Sequence, residues 1–343
     1  MITPGLSIVA PCYNETSCLD ALYTRITAAA RTAVAEDYEL VLVDDGSSDD
    51  TWPLMCALAS SDPHVMAISL SRNHGHQLAL TAGLDLCSGR RILIIDADLQ
   101  DPPELLPAML TEMDRQQADV VYGVRRSRDG ESAFKLASAG LFYRALSRLA
   151  EIEIPPDVGD FRLITRRALD ALLSLPEEAR FIRGMVAWIG FRQVPFAYDR
   201  EQRHAGRTKY PLKKMVRLAA DALTGFSTLP LRLAMHTAAA LALLSIFLLL
   251  YIVERWWHGR TVEGWPSLMA VVIVLGAAQM GALAMIGEYL GRVYEEVKRR
   301  PLYIVSDVVG RTPSAPVLGH LAQPRETIAS SDSPGGSGTR PIT

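Results

Sequence analysis

The chain has 343 residues, 49% of them hydrophobic and 21% charged, and Lys+Arg 35 against Asp+Glu 38 leave a formal net charge of −3. No basic excess is present to neutralise phosphates, which argues against nucleic acid as a partner. A mean hydropathy of +0.13 is too high for an ordinary soluble enzyme of this length and too low for a polytopic carrier, so a soluble domain joined to a small membrane part is expected.

From Leu6 to Tyr122 short apolar runs alternate with longer helical patterns. The runs are continuous, as in strands buried on both faces, which predicts a parallel α/β sheet. Strands are expected at Leu6–Ala10, Glu39–Asp44, Val65–Leu70, Arg91–Asp96 and Asp119–Tyr122. Helices are expected near Ser17–Ala33, Thr51–Ser60, His76–Cys87 and Glu104–Gln117, the first opened by a capping box of Ser17 with Asp20. The four cysteines, Cys12, Cys18, Cys56 and Cys87, form no C-x-x-C pair, which favours a reducing compartment. With no basic segment before an apolar run at the amino terminus, no cleavable signal is expected and the N-terminal domain is placed in the cytosol.

Further on, a helical pattern covers Phe134–Leu149, Pro155–Pro156 marks a turn, and Thr165–Leu173 is helical again. Residues 211–230 read as an amphipathic helix, with Lys213, Lys214 and Arg217 near one end. It suits an anionic membrane surface, and a core-facing helix is the alternative. Residues 231–253 and 268–290 read as two transmembrane helices, since a run of about 20 apolar residues at about 1.5 Å rise crosses a hydrocarbon core. Basic residues before the first and after the second put both ends in the cytosol, with 254–267 as an extracytoplasmic loop whose Trp256, Trp257 and Trp265 lie at the interface. Gly287 and Gly291 permit close helix packing, which leaves a homo-oligomer open. Residues 291–313 form a juxtamembrane segment, and the Ser/Gly/Pro-rich 314–343 is expected to be a disordered tail.

Ligands of a parallel sheet bind at the carboxyl ends of its strands. The strongest group there is Asp96-Ala-Asp-Leu-Gln-Asp101. On an extended segment Asp96 and Asp98 point the same way, and two adjacent carboxylates suit a hard divalent cation that offsets a leaving diphosphate. Tyr13 can stack on a base, and Asp44 or Asp45 can accept hydrogen bonds from a uracil or ribose. The alternative is that Asn14, Asp45 and Gly46 only cap helices and turn the chain.

Taken together, Val9-Ala-Pro-Cys-Tyr-Asn-Glu15, Val43-Asp-Asp-Gly-Ser47, Arg72-Asn-His-Gly75, Asp96-Ala-Asp-Leu-Gln-Asp-Pro-Pro-Glu104 and Gly159-Asp-Phe-Arg162 resemble glycosyltransferase family 2. The likeness is to its polyisoprenyl-phosphate branch, which holds dolichol-phosphate mannose synthase and the bactoprenol glucosyltransferases. The resemblance implies a GT-A fold (nucleotide-diphospho-sugar transferase, Rossmann-like) over residues 1–210, followed by the two spans. It implies Mg²⁺ or Mn²⁺ as cofactor, and inverting transfer of a sugar, glucose from UDP-glucose by preference, to polyprenyl (undecaprenyl) phosphate at the cytoplasmic membrane face. Pro11, Tyr13, Glu15, Asp44, Asp45, Asp96 and Lys209 are the implied nucleotide-sugar residues, and Asp96, Asp98 and Gln100 the implied metal residues. Arg125, Lys135 and Ser138 fall at the acceptor-phosphate positions. Asp98, Asp160 and Arg203 are the implied catalytic residues, with Arg203-His-Ala-Gly-Arg-Thr-Lys-Tyr210 as a loop closing over the diphosphate and a flippase as downstream partner. Thr208 stands where the family pattern has Ser. A phosphate monoester is already largely dianionic at neutral pH, with a second pKa of about 6, so Asp160 is expected to orient groups rather than take a proton. The rivals are the same chemistry with UDP-N-acetylglucosamine, UDP-galactose, a modified arabinose or GDP-mannose, a processive polysaccharide synthase, and a non-catalytic membrane scaffold that binds nucleotide sugars.

Overall fold

In the computed structural model, residues 3–125, 158–178, 180–199, 229–258 and 264–311 are described. The apolar runs become strands β1 (Leu6–Cys12), β2 (Tyr38–Asp44), β3 (Val65–Leu70), β4 (Arg91–Ile94) and β5 (Val120–Arg125). β1, β2 and β3 are buried along their whole length, because helices cover both faces of the sheet. Alternate residues serve the two sides: Leu6, Ile8 and Ala10 pack with α1 (Leu19–Val34) and α4 (Leu106–Gln116), while Val9, Val41 and Val43 pack with α3 (His76–Leu86). Helix α2 (Thr51–Ser61) lies between β2 and β3 in the chain, and a 3₁₀ turn at Pro103–Leu105 leads into α4.

Three strands lie beyond the predicted set: β6 (Val158–Thr165), β7 (Gln193–Tyr198) and β8 (Val305–Gly310). Between β6 and β7 come α5 (Arg166–Leu173) and α6 (Ile182–Trp188). Among the described residues the sheet has eight strands in the order β7-β5-β6-β4-β1-β2-β3-β8. It is mixed rather than parallel. β6 runs antiparallel to β4 and β5, and β8 antiparallel to β3, around a parallel centre of β4-β1-β2-β3. Strand order reverses between β1 and β4, the place where open α/β sheets form a crevice at their carboxyl ends.

Some local expectations change. The Ser17 capping box does not form: α1 starts after Cys18 with no side-chain cap, and the amides of Cys18 and Leu19 donate to the Glu15 carbonyl instead. At the opposite end of the sheet from the crevice, fully buried Glu39 accepts hydrogen bonds from the hydroxyls of Ser7 and Ser88, with Arg311 at 3.4 Å. This ties β1, β2 and the segment before β4 to the chain just after β8.

Two long helices follow, α7 (Leu229–Trp257) and α8 (Trp265–Lys298). They occupy the two predicted spans and expose apolar side chains such as Leu243, Phe247, Val272 and Leu283. Even so, among the described residues no helix is long and apolar enough to cross a membrane. This overturns the expected inner-membrane location with two spans and a cytoplasmic domain. The chain past α8 then returns to the sheet as β8, within the expected juxtamembrane segment. The helix expected over 134–149, the turn at Pro155–Pro156, most of the interfacial helix and the tail at 314–343 lie outside the described residues.

Candidate active site

The crevice is built by loops that interlock. After β1, Asn14 adopts φ 55°, a conformation asparagine tolerates, and its amide donates to Ser47 Oγ at 2.9 Å while its Oδ1 accepts from Ser48 N at 2.8 Å. Glu15 N donates to Thr51 Oγ1 at 2.9 Å. Pro11 lies inside β1 opposite Val43, and Tyr13 is 38% exposed at the rim.

After β2, Asp44 is buried and accepts from Ser47 N at 3.2 Å. Asp45 takes another part: its carboxylate accepts from His74 N at 2.7 Å and Gly75 N at 3.0 Å, which fixes the loop that opens α3. Burial raises the pKa of both Asp44 and Asp45, against the N–H groups each accepts. Gly46 has φ +67°, and a Cβ there would meet the backbone of Arg72 at 2.6 Å, so the loops after β2 and β3 approach too closely for any other residue.

Helix α3 thereby presents His76 and Gln77 to the crevice, and β6 brings Asp160 from the other side. Asp160 is 2% exposed and closely held: Arg183 Nε and Nη2 donate at 2.8 and 3.1 Å, Gln77 Nε2 at 3.2 Å, and His76 Nε2 lies at 3.2 Å. Buried Arg162 lies beneath, its Nη2 donating to Gly159 O at 2.9 Å. Burial alone would raise the Asp160 pKa, but Arg183 and His76 outweigh it and hold the carboxyl well below the usual range. For His76, burial would lower the pKa; the hydrogen bond to Asp160 and the charge of Asp96 win and raise it to about 9.

The strand carrying the acidic motif ends at Ile94, and Asp98 lies in a turn where Leu99 has φ 59°. The expectation that Asp96 and Asp98 share a direction on an extended segment is therefore corrected. Asp98 accepts from Gln100 N at 3.2 Å. Asp96 instead faces His76, whose Nε2 is 3.4 Å from Asp96 Oδ1. Among the described residues, His76, Asp96 and Asp160 form a group able to hold a metal, their ligand atoms within 4.8 Å of one another. Beyond the ion pair with His76, buried Asp96 Oδ1 accepts no hydrogen bond among the described residues, and the Asp96 pKa is raised to about 6, by burial first and then by Asp160, Asp101 and Asp98, against His76. A buried carboxylate oxygen that accepts no hydrogen bond fits a hard cation.

At the end of β5, Arg125 Nη2 is 4.0 Å from buried Asp101, which also accepts a hydrogen bond from Tyr198 on β7. A Cβ on Gly159 would meet the Arg125 guanidinium at 3.0 Å. Lys135, Ser138, Arg203 and Lys209 lie outside the described residues. Sequence reasoning missed His76, Gln77, Arg183 and Tyr198. Only His76 had a signal, as the residue directly after the Arg72–Gly75 motif.

Because the His76 pKa is raised, the stability its charge contributes is fully present below its unfolded value of 6.5 and is lost as pH climbs towards about 9. In metal-free protein, the thermal midpoint is expected to fall between pH 6.5 and 9, and His76→Gln is expected to flatten that fall. An equal decline in both proteins would contradict the assignment.

The model of glycosyl transferase family 2 matches residues 7–173. Over 307 residues the chain is 43% identical to the uncharacterized glycosyltransferase YkcC of Bacillus subtilis strain 168, covering 89% of this chain and 94% of that one. It is 36% identical over 301 residues to the bactoprenol glucosyl transferase of Shigella phage SfII, covering 88% and 97%. Among solved structures, glucosyl-3-phosphoglycerate synthase from Mycobacterium tuberculosis, in complex with Mn²⁺, UDP-glucose and phosphoglyceric acid, overlaps 64% of this chain and 78% of its own at a TM-score of 0.44 and 21% identity.

Proposed function

We propose that this chain, which belongs to glycosyl transferase family 2 and is a glycosyltransferase, has a GT-A catalytic domain and moves glucose from UDP-glucose to undecaprenyl phosphate with inversion. The observation that carries this reading is the convergence of Asp96, Asp160 and His76 at the crevice between β1 and β4. The likeness to a bactoprenol glucosyl transferase along nearly its whole length supports the lipid acceptor.

In this reading Pro11, Tyr13, Glu15 and Asp44 receive the uridine, with the Tyr13 ring on the base. Asp45 serves the nucleotide indirectly, by fixing the loop over 74–75. Asp96, with His76 and Asp160 around it, would hold Mg²⁺ or Mn²⁺, which when bound offsets the charge of the departing diphosphate, while Asp98 and Gln100, expected as its partners, lie in the turn beyond. The acceptor phosphate needs positioning rather than deprotonation, because it is a dianion with a second pKa of about 6. An oxygen of that dianion attacks the anomeric carbon, the bond to the diphosphate breaks, and UDP leaves with the electron pair. Arg125 supplies a forked cation for the acceptor, and Lys135, Ser138, Arg203 and Lys209 complete the assignment. Asp160 stays ionised because of Arg183 and His76, so it orients the cleft electrostatically instead of accepting a proton.

Incubation with labelled UDP-glucose, Mg²⁺ or Mn²⁺ and undecaprenyl phosphate is expected to yield a labelled lipid that releases glucose on mild acid treatment. Lipid labelling only from another donor would replace glucose, and no lipid product from any nucleotide sugar would remove the reading.

A further inference from the structure

At the end of β5, one buried carboxylate stands between the acidic turn and the cation assigned to the acceptor. Asp101 closes the Asp96–Asp101 motif, is fully buried, and accepts a hydrogen bond from the Tyr198 hydroxyl on its Oδ1. Arg125 Nη2 lies 4.0 Å from that same oxygen. An arginine hydrogen-bonded to a carboxylate sits at about 2.7–2.9 Å, so this pair attracts without joining. A shift of about 1 Å would close it.

The phenol that holds Asp101 is itself fixed. Tyr198 stands opposite Arg125 in the β5–β7 ladder. Its side chain is buried and meets the Phe161 ring edge-on at 5.5 Å, and a Cβ on Gly123 would come within 2.7 Å of it, so only glycine leaves room for the ring. Burial and Asp101 raise the Tyr198 pKa, against Arg125, which keeps the hydroxyl a donor at neutral pH. Arg125 spends little of its own donor set inside the protein: its buried Nε makes no hydrogen bond among the described residues, and its side chain is 23% exposed. A guanidinium drawn fully onto a buried carboxylate would have fewer N–H groups left for an incoming anion.

We propose that Tyr198 is a positioning residue for the acceptor: by tethering Asp101, its hydroxyl holds that carboxylate short of Arg125 and leaves the guanidinium to the phosphate of the polyprenyl acceptor. The inference rests on the proposed transfer reaction for its kinetic consequence and on the Tyr198–Asp101–Arg125 geometry alone for its structural one.

Two measurements on the full chain test it. Tyr198→Phe keeps the buried ring and removes only the hydroxyl. It is expected to raise KM for undecaprenyl phosphate about three- to tenfold, the range of one hydrogen bond, with KM for UDP-glucose little changed. Adding Asp101→Asn to that variant is expected to bring the acceptor KM back down, because a neutral amide no longer draws the guanidinium. A double variant no better than the single one, or a rise shared equally by both substrates, would reduce Tyr198 to a general structural role and overturn the proposal. The second measurement needs no activity: the drop in thermal midpoint caused by Arg125→Ala is expected to be larger in the Tyr198→Phe background, where Arg125 and Asp101 have joined, than in the unaltered protein. Equal drops overturn the proposal, whereas absence of lipid product from the unaltered enzyme counts against the transfer reaction and leaves this second readout standing.

Discussion

Asp96→Asn is expected to lower the rate of lipid glycosylation by about 10³-fold or more, the scale of losing the groups that stabilise charge on a leaving diphosphate, without weakening the fold. The separation follows from the state of Asp96 in the metal-free protein. Its pKa is raised to about 6, chiefly by burial. For an acid that sign means the ionised form costs stability once the pH exceeds its unfolded value of 3.8, and the cost is complete above about 6. Asparagine keeps the shape and removes the charge, so at pH 7 the metal-free variant should unfold at an equal or higher temperature than the unaltered protein. A variant that keeps a tenth or more of its transfer rate would move the diphosphate site away from Asp96. The other carboxylate of the crevice calls for the opposite outcome.

Asp160→Ala is expected to cost stability first and activity with it. It removes the carboxylate that Arg183, His76 and Arg162 surround and leaves His76 to Asp96, and breaking a buried ion pair from one side typically costs about 3–5 kcal/mol. Asp160→Asn retains an acceptor oxygen and the side-chain volume. It should fold and keep about 10⁻² of the transfer rate, since the group orients rather than abstracts a proton. The pH dependence gives a separate check. The folded pKa of Asp160 lies well below its unfolded value of 3.8, so its stabilisation is present above that value and disappears as pH falls through the folded one. Denaturant midpoints of the unaltered and Asn proteins should differ most near neutral pH and converge in acid. A constant difference would show that shape, and not charge, holds the site.

The centre of the sheet was legible because strands buried on both faces must be apolar throughout, and Leu6–Cys12 and Val65–Leu70 are nearly so. β6 was not, because Asp160 and Arg162 interrupt its apolar pattern; in the fold Asp160 is neutralised by partners as distant in sequence as His76. β7 contains Pro195, which reads as a strand breaker yet fits a strand that, among the described residues, lies at the sheet edge beside β5. β8 is short and half polar, and only its partner β3 gives it a reason to be extended. Of the site, the acidic motif and the Gly46 turn were readable from residue type. The turn at Leu99 was not, and it separates Asp98 from the direction of Asp96. Arg183 carried no local signal at all: its role exists only because Gln77 captures the backbone of Ile182. Two long helices were legible at α7 and α8, whereas their crossing of a membrane is what the described residues overturn.

The central claim is that the carboxylates at the β4 end grip a pyrophosphate-linked donor through a divalent cation. Calorimetric titration of UDP-glucose into the full chain, once with saturating Mn²⁺ and once with excess chelator, tests it most directly. The account predicts affinity at least about tenfold weaker in chelator, a difference of about 1.4 kcal/mol, and predicts that Asp96→Asn loses the difference between the two conditions. Equal affinity with and without the cation in the unaltered protein would contradict it.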